Sequence, residues 1–359
     1  MAFRNIGVFR GSETIRYHLD QFKTHTPNEW CVYDDLGHFF NSGHPVNIAF
    51  FHLPYPFQDN TQDTLDRLRT FCNHVFVVGS ELHDITARFI ENNDHKNITF
   101  YICGRLNFKL VNAEVYEYYD WFETSRYFYK SYLPEILQRL KPGPIGFDIL
   151  LGRKKAHRDF VYKFSHNLPA EQKVVSYFNR FDVDFATDTN MWTWEQPGLK
   201  FINTPKWTVD TVEYFGHRMS LSQVIPIDLY NQTRYSVVAE TNYNNSYSFY
   251  TEKTAKPIIA KRMFIMFAGQ HYLKNLRDIG FHTFDNVIDE SYDSVEDAPT
   301  RWSMACEQMI KLLSLDPDLV AEKIQPRVEH NFGVMMYRGW LSEYISNMEI
   351  KVGSILEQT

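Results

Sequence analysis

Apolar runs alternate with amphipathic segments through the first third of the chain. The short β-like runs cover residues 5–9, 46–53, 74–80 and 98–104. Between them, apolar side chains recur at helical spacing, with Leu65, Leu68 and Phe71 in one segment and Ile85, Phe89 and Ile90 in the next. This alternation predicts βαβ units and an α/β fold.

A break in the pattern divides the chain. Residues 115–140 are aromatic and helix-like, and they end at "KPGPIG" (residues 141–146), where two prolines and two glycines stop regular structure. We therefore predict an N-terminal domain of residues 1–143 and a C-terminal domain of residues 144–359.

The C-terminal domain begins with the pattern of a strand, a basic turn and a helix in "FDILLGRKKAHRDFVYKFSHNL". Later strand-like runs cover residues 173–178, 235–240, 263–269 and 281–289. Residues 331–359 have an amphipathic helical pattern and form a final helix able to pack back on the N-terminal domain.

Composition narrows the class of protein. A chain of 359 residues with 44% hydrophobic residues exceeds the usual size of one domain. The formal net charge of -7 is opposite in sign to the footprint of a nucleic-acid-coating protein. The four cysteines are dispersed and predict neither a zinc site nor a disulfide scaffold. No apolar run is long enough to span a membrane, and the N-terminus lacks the apolar core of a secretory signal, so we expect a cytoplasmic protein.

Charged residues gather where a strand gives way to a helix. Glu240 ends the strand-like run of residues 235–240, Asn242 follows it, and "FYTEKTAKPIIAKR" opens a helix with Thr251 as its N-cap. Pro257 is expected to kink or shorten that helix. Open α/β sheets bind ligands at the carboxyl ends of their strands, so Glu252 and Lys253 would face a ligand there.

These residue types suit a nucleotide-sugar. A carboxylate accepts hydrogen bonds from both ribose hydroxyls, and an ammonium beside a helix N-terminus neutralises a diphosphate. Arg153, in the turn "GRKKAHR" (residues 152–158), offers a bidentate fork to phosphate oxygens. The alternative for both clusters is a solvated charged face without a ligand.

The segment "YSVVAETNYNNSYSFYTEKTAKPIIAKRMFIMFAG" resembles the donor-binding signature of the α1,3-fucosyltransferase family of GT-B glycosyltransferases. It also resembles glycosyltransferase-like proteins of phages and bacteria, over residues 148–293. The resemblance implies two Rossmann-like domains that face each other across a cleft. It also implies that the protein acts in a bacterial cell or in a phage-infected host cell. In this family the residues that follow "TEK" are apolar or aromatic, whereas Thr254, Ala255 and Lys256 follow here.

The resemblance also implies roles for individual residues. Glu252 would hold the donor ribose, Lys253 would contact the diphosphate, and Arg153 would meet phosphate oxygens. Glu240 matches the acidic residue of the family at the end of the preceding strand. The predicted donor-binding set is completed by Asn242, Tyr250 and Thr251.

Inversion at the anomeric carbon needs a base that deprotonates the acceptor hydroxyl. Glu81 follows the run "VFVVG" and is our predicted catalytic base, with His83 close behind. The alternative is a helix start in which Ser80 is the cap and Glu81 lies in the first turn. Other residues with comparable claims are the acids Asp34, Asp35, Asp120 and Glu123, with Arg105 as a further acceptor or phosphate contact.

No metal site is predicted. The triplet "DVD" (residues 182–184) is of a kind that arises often by chance, and the acidic segment of residues 284–293 lacks the spacing and central glycine of an EF-hand. The sequence therefore predicts a metal-independent glycosyltransferase that uses a GDP- or UDP-sugar and a glycan or another hydroxyl acceptor. The alternatives are a phage-type enzyme that glycosylates a modified DNA base, which the net acidity disfavours, and a non-catalytic nucleotide-binding protein.

Overall fold

A computed structural model of the chain describes residues 6–10, 30–53, 58–152, 154–177, 199–201 and 211–358. The chain forms two compact units. The first contains Met1–Asp120 together with Gly339–Thr359, and the second contains Trp121–Arg338. Each unit has a parallel sheet flanked by helices, as the α/β pattern of the sequence predicts.

The first unit has a parallel six-stranded sheet. Its strands are β1 (Ile6–Arg10), β2 (Trp30–Tyr33), β3 (Val46–His52), β4 (His74–Gly79), β5 (Ile98–Cys103) and β7 (Glu114–Tyr118), and β6 (Arg105–Leu106) lies outside this sheet. The strand order is β2-β1-β3-β4-β5-β7, a doubly wound, Rossmann-like arrangement. The helices are α1 (Leu36–Phe40), α2 (Thr61–Phe71), α3 (Asp84–Asn92) and, from the end of the chain, α12 (Trp340–Gln358).

The apolar runs of the sequence become the central strands. Every residue of β4 and β5 is buried, because helices and neighbouring strands exclude water from both faces. The final helix packs in this unit, where the Tyr344 ring lies 5.3 Å from the Tyr101 ring and 5.0 Å from the Tyr118 ring. The predictions of strands β3, β4 and β5 are confirmed. The predicted final helix of residues 331–359 is confirmed only from Trp340, because residues 331–337 belong to the preceding helix.

Residues 115–140 differ from the prediction of one long helix. They contain strand β7, then α4 (Asp120–Ser131) and the short α5 (Pro134–Leu137). Tyr116 stacks on Tyr101 of the adjacent strand, with ring centroids 5.2 Å apart, so cross-strand packing overrides the helix-like pattern. The chain passes between the two units at Asp120, ahead of the irregular residues 141–144.

The second unit has a parallel four-stranded sheet. Its strands are β8 (Ile145–Leu151), β9 (Lys173–Tyr177), β13 (Thr233–Ala239) and β15 (Phe264–Phe267), in the order β15-β13-β8-β9. Between β9 and β13 lie the antiparallel strands β10 (Leu199–Phe201), β11 (Thr211–Tyr214) and β12 (His217–Ser220). A further two-residue strand, β14, covers Tyr247–Ser248.

Helices surround the second sheet. They are α6 (Ala156–Ser165), α7 (Ile227–Tyr230), α8 (Glu252–Ile259), α9 (Tyr272–Asp278), α10 (Ala298–Leu313) and α11 (Pro317–Tyr337), with 3₁₀ turns at Ala170–Gln172, Leu221–Gln223 and Ser291–Ser294. None of the helices in the described part of the chain is long and apolar enough to cross a membrane. The four cysteines are free thiols.

Residues 281–289, predicted as a strand, form turns instead. Phe281, Phe284 and Ile288 are buried, but their spacing of three and four residues anchors a folded-back loop in which the Ile288 N–H donates to the Phe284 carbonyl. Asp285 and Asn286 interrupt the apolar positions with residues that favour turns. The strand prediction was wrong because apolar content was read without that spacing.

A buried ion pair fastens β8 to the segment between α8 and β15. The Arg262 guanidinium donates to Asp148 Oδ2 at 2.7 Å, and that oxygen also accepts hydrogen bonds from the hydroxyls of Thr233 and Ser236 at 3.0 Å each. The Arg262 group also lies over the Tyr230 ring, 4.3 Å from its centroid. These contacts satisfy two charges that would be costly to bury alone.

Candidate functional site

The strand order of the second sheet places a topological switch point between β8 and β13. The chain runs from β8 to β9 on one side and later returns to β13 on the other side of β8. The carboxyl ends of β8 and β13 therefore lie side by side at a topological switch point, where open α/β sheets bind ligands. The basic turn after β8 and the Glu240–Thr241 segment after β13 meet at this edge.

Helix α8 brings the predicted charges to the same edge. Thr251 is its N-cap, as predicted, and the Thr251 hydroxyl accepts a hydrogen bond from the Lys253 N–H at 3.3 Å. Pro257 lies within the helix, which ends after eight residues, and the Arg262 N–H then donates to the Pro257 carbonyl. Glu252 and Lys253 thus lie in the capped first turn of a short helix.

Glu240 is fully buried and holds the first turn of α8 in place. Its carboxylate accepts five hydrogen bonds of 2.6–3.2 Å, from the N–H groups of Thr241 and Thr251 and the hydroxyls of Thr251, Thr254 and Tyr272. Both oxygens are occupied by groups of the protein. Glu240 therefore positions the α8 N-terminus, and this arrangement leaves its carboxylate without a face for a ligand.

The first residues of α6 fasten the end of β13. The buried Arg158 guanidinium donates to the Glu240 carbonyl at 3.0 Å and to the Ala239 carbonyl at 3.2 Å. His157 Nε2 lies 2.8 Å from the same Glu240 carbonyl oxygen. Burial, aided by the charge of Arg158, holds the pKa of His157 well below its ordinary value. The ring is therefore neutral and Nε2 carries the proton, because a carbonyl oxygen only accepts.

Sequence reasoning missed these two roles. Arg158 was expected on a solvated face unless it bound phosphate, and His157 was not considered. The signal that would have found them is the helical spacing of α6, because residues 157, 158 and 161 are all buried on this helix.

Glu252 and Lys253 form an ion pair at the edge, with Lys253 Nζ 2.5 Å from Glu252 Oε1. The carboxylate side chain exposes only 5% of its surface and the lysine side chain 27%. Burial raises the pKa of Glu252, but the charges of Lys253 and Lys256 outweigh it, so the net pKa lies below its ordinary value. Lys253 Nζ also donates to the Thr241 hydroxyl at 3.2 Å.

Two further lysines add positive charge. Lys155 Nζ donates to the Thr241 carbonyl, which draws the basic turn toward the loop after β13. Lys256 lies one helical turn after Glu252, and burial lowers the pKa of its ammonium to about 8, against the opposing effect of the Glu252 carboxylate. Lys256 was quoted in the sequence only as a departure from the family motif, and its contribution to this edge was not predicted.

The remaining predicted donor-binding residues fall into three situations. Arg153 lies outside the described residues. Asn242 is half-buried in the loop after β13. Tyr250 is buried and packs on the rings of Phe122 and Tyr272, at centroid distances of 5.6 and 4.9 Å, so its side chain belongs to the core.

The predicted base lies in the first unit, after β4. Glu81 Oε2 is 3.0 Å from His83 Nε2, and both side chains are partly exposed. Helix α3 begins only at Asp84, with His83 as its N-cap residue. The alternative that placed Glu81 in the first turn of a helix capped by Ser80 is therefore wrong, since Glu81 lies in the loop.

A second histidine joins this edge of the first sheet. His52, the last residue of β3, has its Nε2 3.2 Å from the Ser80 hydroxyl, and burial lowers its pKa. Sequence reasoning missed His52 because it stands at the end of an apolar run and carries no motif.

The other acids have ordinary structural surroundings. Asp34 is exposed, and Asp35 caps α1 by accepting the His38 N–H at 2.8 Å. Asp120 is the exposed first residue of α4.

The two remaining candidates are engaged in ion pairs. Glu123 receives a two-pronged contact from Arg126, at 2.5 and 2.9 Å. Arg105 pairs with Glu117 at 3.5 Å.

The acidic segment near the end of the matched region is structural. Glu290 accepts hydrogen bonds from Arg277 and the Phe284 N–H, and Asp293 accepts the N–H groups that begin α9, including that of Leu273 at 2.8 Å. Within the described ranges, no group of three or more His, Cys, Asp or Glu side chains is arranged to hold a metal ion. The triplet at residues 182–184 lies outside those ranges.

The chain matches no known family model, and no curated protein matches it. We therefore infer its function from the geometry of the two sheet edges and from the chemistry of the residues found there.

Proposed function

We propose that this chain is a glycosyltransferase that moves a sugar from a nucleotide-sugar to an acceptor hydroxyl, with inversion and without a metal ion. In this proposal the two Rossmann-like units face each other across a cleft, in the GT-B manner. The observation that carries it is the Glu252–Lys253 pair in the first turn of α8, beside Lys155 and Lys256, at the switch point of the second sheet.

The donor side follows from the needs of a leaving nucleoside diphosphate. Its negative charge grows as the glycosidic bond breaks, and fixed ammonium groups aimed at the phosphate oxygens stabilise that charge. Lys253 and Lys256 supply such groups, and Arg153 is proposed to add a bidentate contact. Glu252 is proposed to receive the ribose hydroxyls, while Lys253 turns from the carboxylate toward phosphate.

The acceptor side needs a base in the first unit. Glu81 has a partly exposed carboxylate in a loop at the carboxyl edge of the parallel sheet, and its hydrogen bond to His83 fixes its orientation. The acceptor hydroxyl would lose its proton to Glu81 as its oxygen attacks the anomeric carbon from the face opposite the diphosphate. His83 and His52 are nearby groups that would accept this proton if Glu81 does not.

The test measures cleavage of the donor by the full chain. Purified protein is incubated with UDP- and GDP-sugars, and release of UDP or GDP is followed with and without candidate glycan acceptors. The proposal predicts slow donor hydrolysis that depends on Lys253 and rises with a suitable acceptor. Tight nucleotide binding without any cleavage would favour a non-catalytic nucleotide-binding protein. Cleavage stimulated only by DNA that contains a hydroxyl-bearing modified base would favour the DNA-modifying alternative.

A further inference from the structure

A cavity of about 1000 Å³ lies in the second unit, at the amino ends of its strands. Arg234 and Tyr235, at the start of β13, line it, whereas the candidate donor site follows the other end of the same strand. Arg234 and Ala239 are five residue steps apart in the extended strand, which corresponds to roughly 16 Å. The cavity is therefore a separate site from the Glu252–Lys253 edge.

The walls of this cavity are mainly apolar. Helix α11 contributes a stripe at spacings of three and four residues, formed by Ala321, Ile324, Val328, Phe332 and Met336. The segment between α5 and β8 forms the facing wall with Leu137, Leu140 and Pro142.

The facing wall is fixed in position. The Asn231 side chain accepts the Lys141 N–H at 2.7 Å and donates to the Arg139 carbonyl at 3.0 Å. Gly143 packs so closely on Gln232 that an added Cβ atom would lie 2.1 Å from the Gln232 backbone. Hydrogen bonds and close packing thus hold this wall in place. The cavity in this respect resembles ligand pockets that exist before binding.

Most of the charged side chains that line the cavity are basic. Five basic residues and one acidic residue line it, namely Lys130, Lys141, Arg234, Lys261 and Arg262 against Asp318. This excess of positive charge occurs on a chain whose formal net charge is -7.

Some of these basic side chains form ion pairs within the protein, and others do not. Arg262 is committed to Asp148, and Lys261 pairs with Glu329 at 2.6 Å. In the described part of the chain, the Arg234 guanidinium and the Lys141 ammonium make no hydrogen bond or ion pair with a side chain or backbone group. Half-buried Arg234 is thus available to an anion at the apolar wall.

We propose that this cavity binds a single-chain amphiphilic anion, with the hydrocarbon chain along the α11 stripe and the head group at Arg234 and Lys141. The apolar walls supply the hydrophobic contacts. The unpaired guanidinium supplies charge-assisted hydrogen bonds to a carboxylate or a phosphate. The proposal is independent of the glycosyltransferase proposal.

The test titrates the full chain with ten-carbon probes below their micelle concentrations, by isothermal calorimetry. Decanoate and decyl phosphate are expected to bind with one-to-one stoichiometry, and their relative affinities show whether the head-group site prefers carboxylate or phosphate. Decanol and decyltrimethylammonium are expected to bind at least about tenfold more weakly, since they lack the charge-assisted contact. Equal binding of all four probes would overturn the proposal.

Two variants locate the site. Arg234→Gln removes the head-group contact and Ala321→Trp fills the cavity from an exposed position, and each is expected to weaken decanoate binding by about tenfold or more. Arg218→Gln and Glu322→Trp change exposed residues that do not line the cavity and should leave binding unchanged. Circular dichroism checks that each variant is folded, and unchanged binding in either folded cavity variant would contradict the proposed location.

Discussion

The Glu252 carboxylate and the Lys253 ammonium are 2.5 Å apart although the two residues are consecutive in α8. Consecutive side chains of a helix point in directions about 100° apart, so they do not normally face each other. The long lysine side chain reaches across this angle, and the Thr241 hydroxyl holds the ammonium at 3.2 Å. Lys253 thus neutralises a buried carboxylate while 27% of its own side-chain surface remains exposed.

Lys256 gives donor binding a predicted dependence on pH. Its pKa is lowered to about 8 by burial, so its positive charge is present at pH 7 and is lost as the pH rises through 8. We expect the affinity for UDP or GDP to fall by about tenfold between pH 7 and 9.5. Lys256→Arg keeps its charge over this range and should remove the dependence. Identical pH profiles in the two proteins, measured by calorimetry, would exclude Lys256 from the site.

Glu240→Gln tests the positioning role. Each carboxylate oxygen accepts one backbone N–H, from Thr251 or Thr241, so in either orientation the amide NH₂ group of glutamine would face a backbone donor. The free energy of unfolding in urea should fall by about 1–3 kcal/mol or more, the cost of an unsatisfied buried donor. Exposed Glu322→Gln is the control and should unfold like the wild type. A Glu240→Gln protein of unchanged stability would refute this role.

Removing only the cation of the Asp148–Arg262 pair is expected to cost more stability than removing both charges. Arg262→Met leaves the buried carboxylate without its cation and should lower the free energy of unfolding by about 3–5 kcal/mol. Burial already raises the pKa of Asp148, so the protein would bind a proton there rather than bury a lone charge. The double variant Asp148→Leu with Arg262→Met should be more stable than Arg262→Met alone. Additive losses in a double-mutant cycle would show that the two charges are not coupled.

Glu81→Gln tests the proposed base. It should keep the fold and the affinity for the donor, because Glu81 belongs to the first unit, but it should lower sugar transfer by roughly 10²–10⁴-fold. Glu91→Gln, an exposed change in α3 of the same unit, is the matched control. If Glu81→Gln transfers sugar at a normal rate, the same assay on His83→Asn and His52→Asn would identify the base.

The sequence predicted the strands that are apolar throughout and the cap of α8, since both signals are local. Strand β7 was missed because its aromatic residues fit a helical pattern, and only their pairing with β5 selects the strand. The sequence placed Glu252 and Lys253 at the start of α8, where the structure has them, and their binding roles stay a prediction. The sequence could not show that protein groups occupy both carboxylate oxygens of Glu240, because the hydroxyl donors lie 11, 14 and 32 residues away along the chain.

The central claim is that the first turn of α8 binds the diphosphate of a nucleotide-sugar. Calorimetric titration of UDP and GDP into wild-type and Lys253→Met protein tests it most directly, with exposed Lys311→Met as the matched control. We predict that wild type and Lys311→Met bind at least one of the two nucleotides with equal affinity. Lys253→Met should bind it roughly 10- to 100-fold more weakly, the usual effect of a charge-assisted hydrogen bond. Undiminished binding by a folded Lys253→Met protein, or no binding of either nucleotide by the wild type, would contradict the claim.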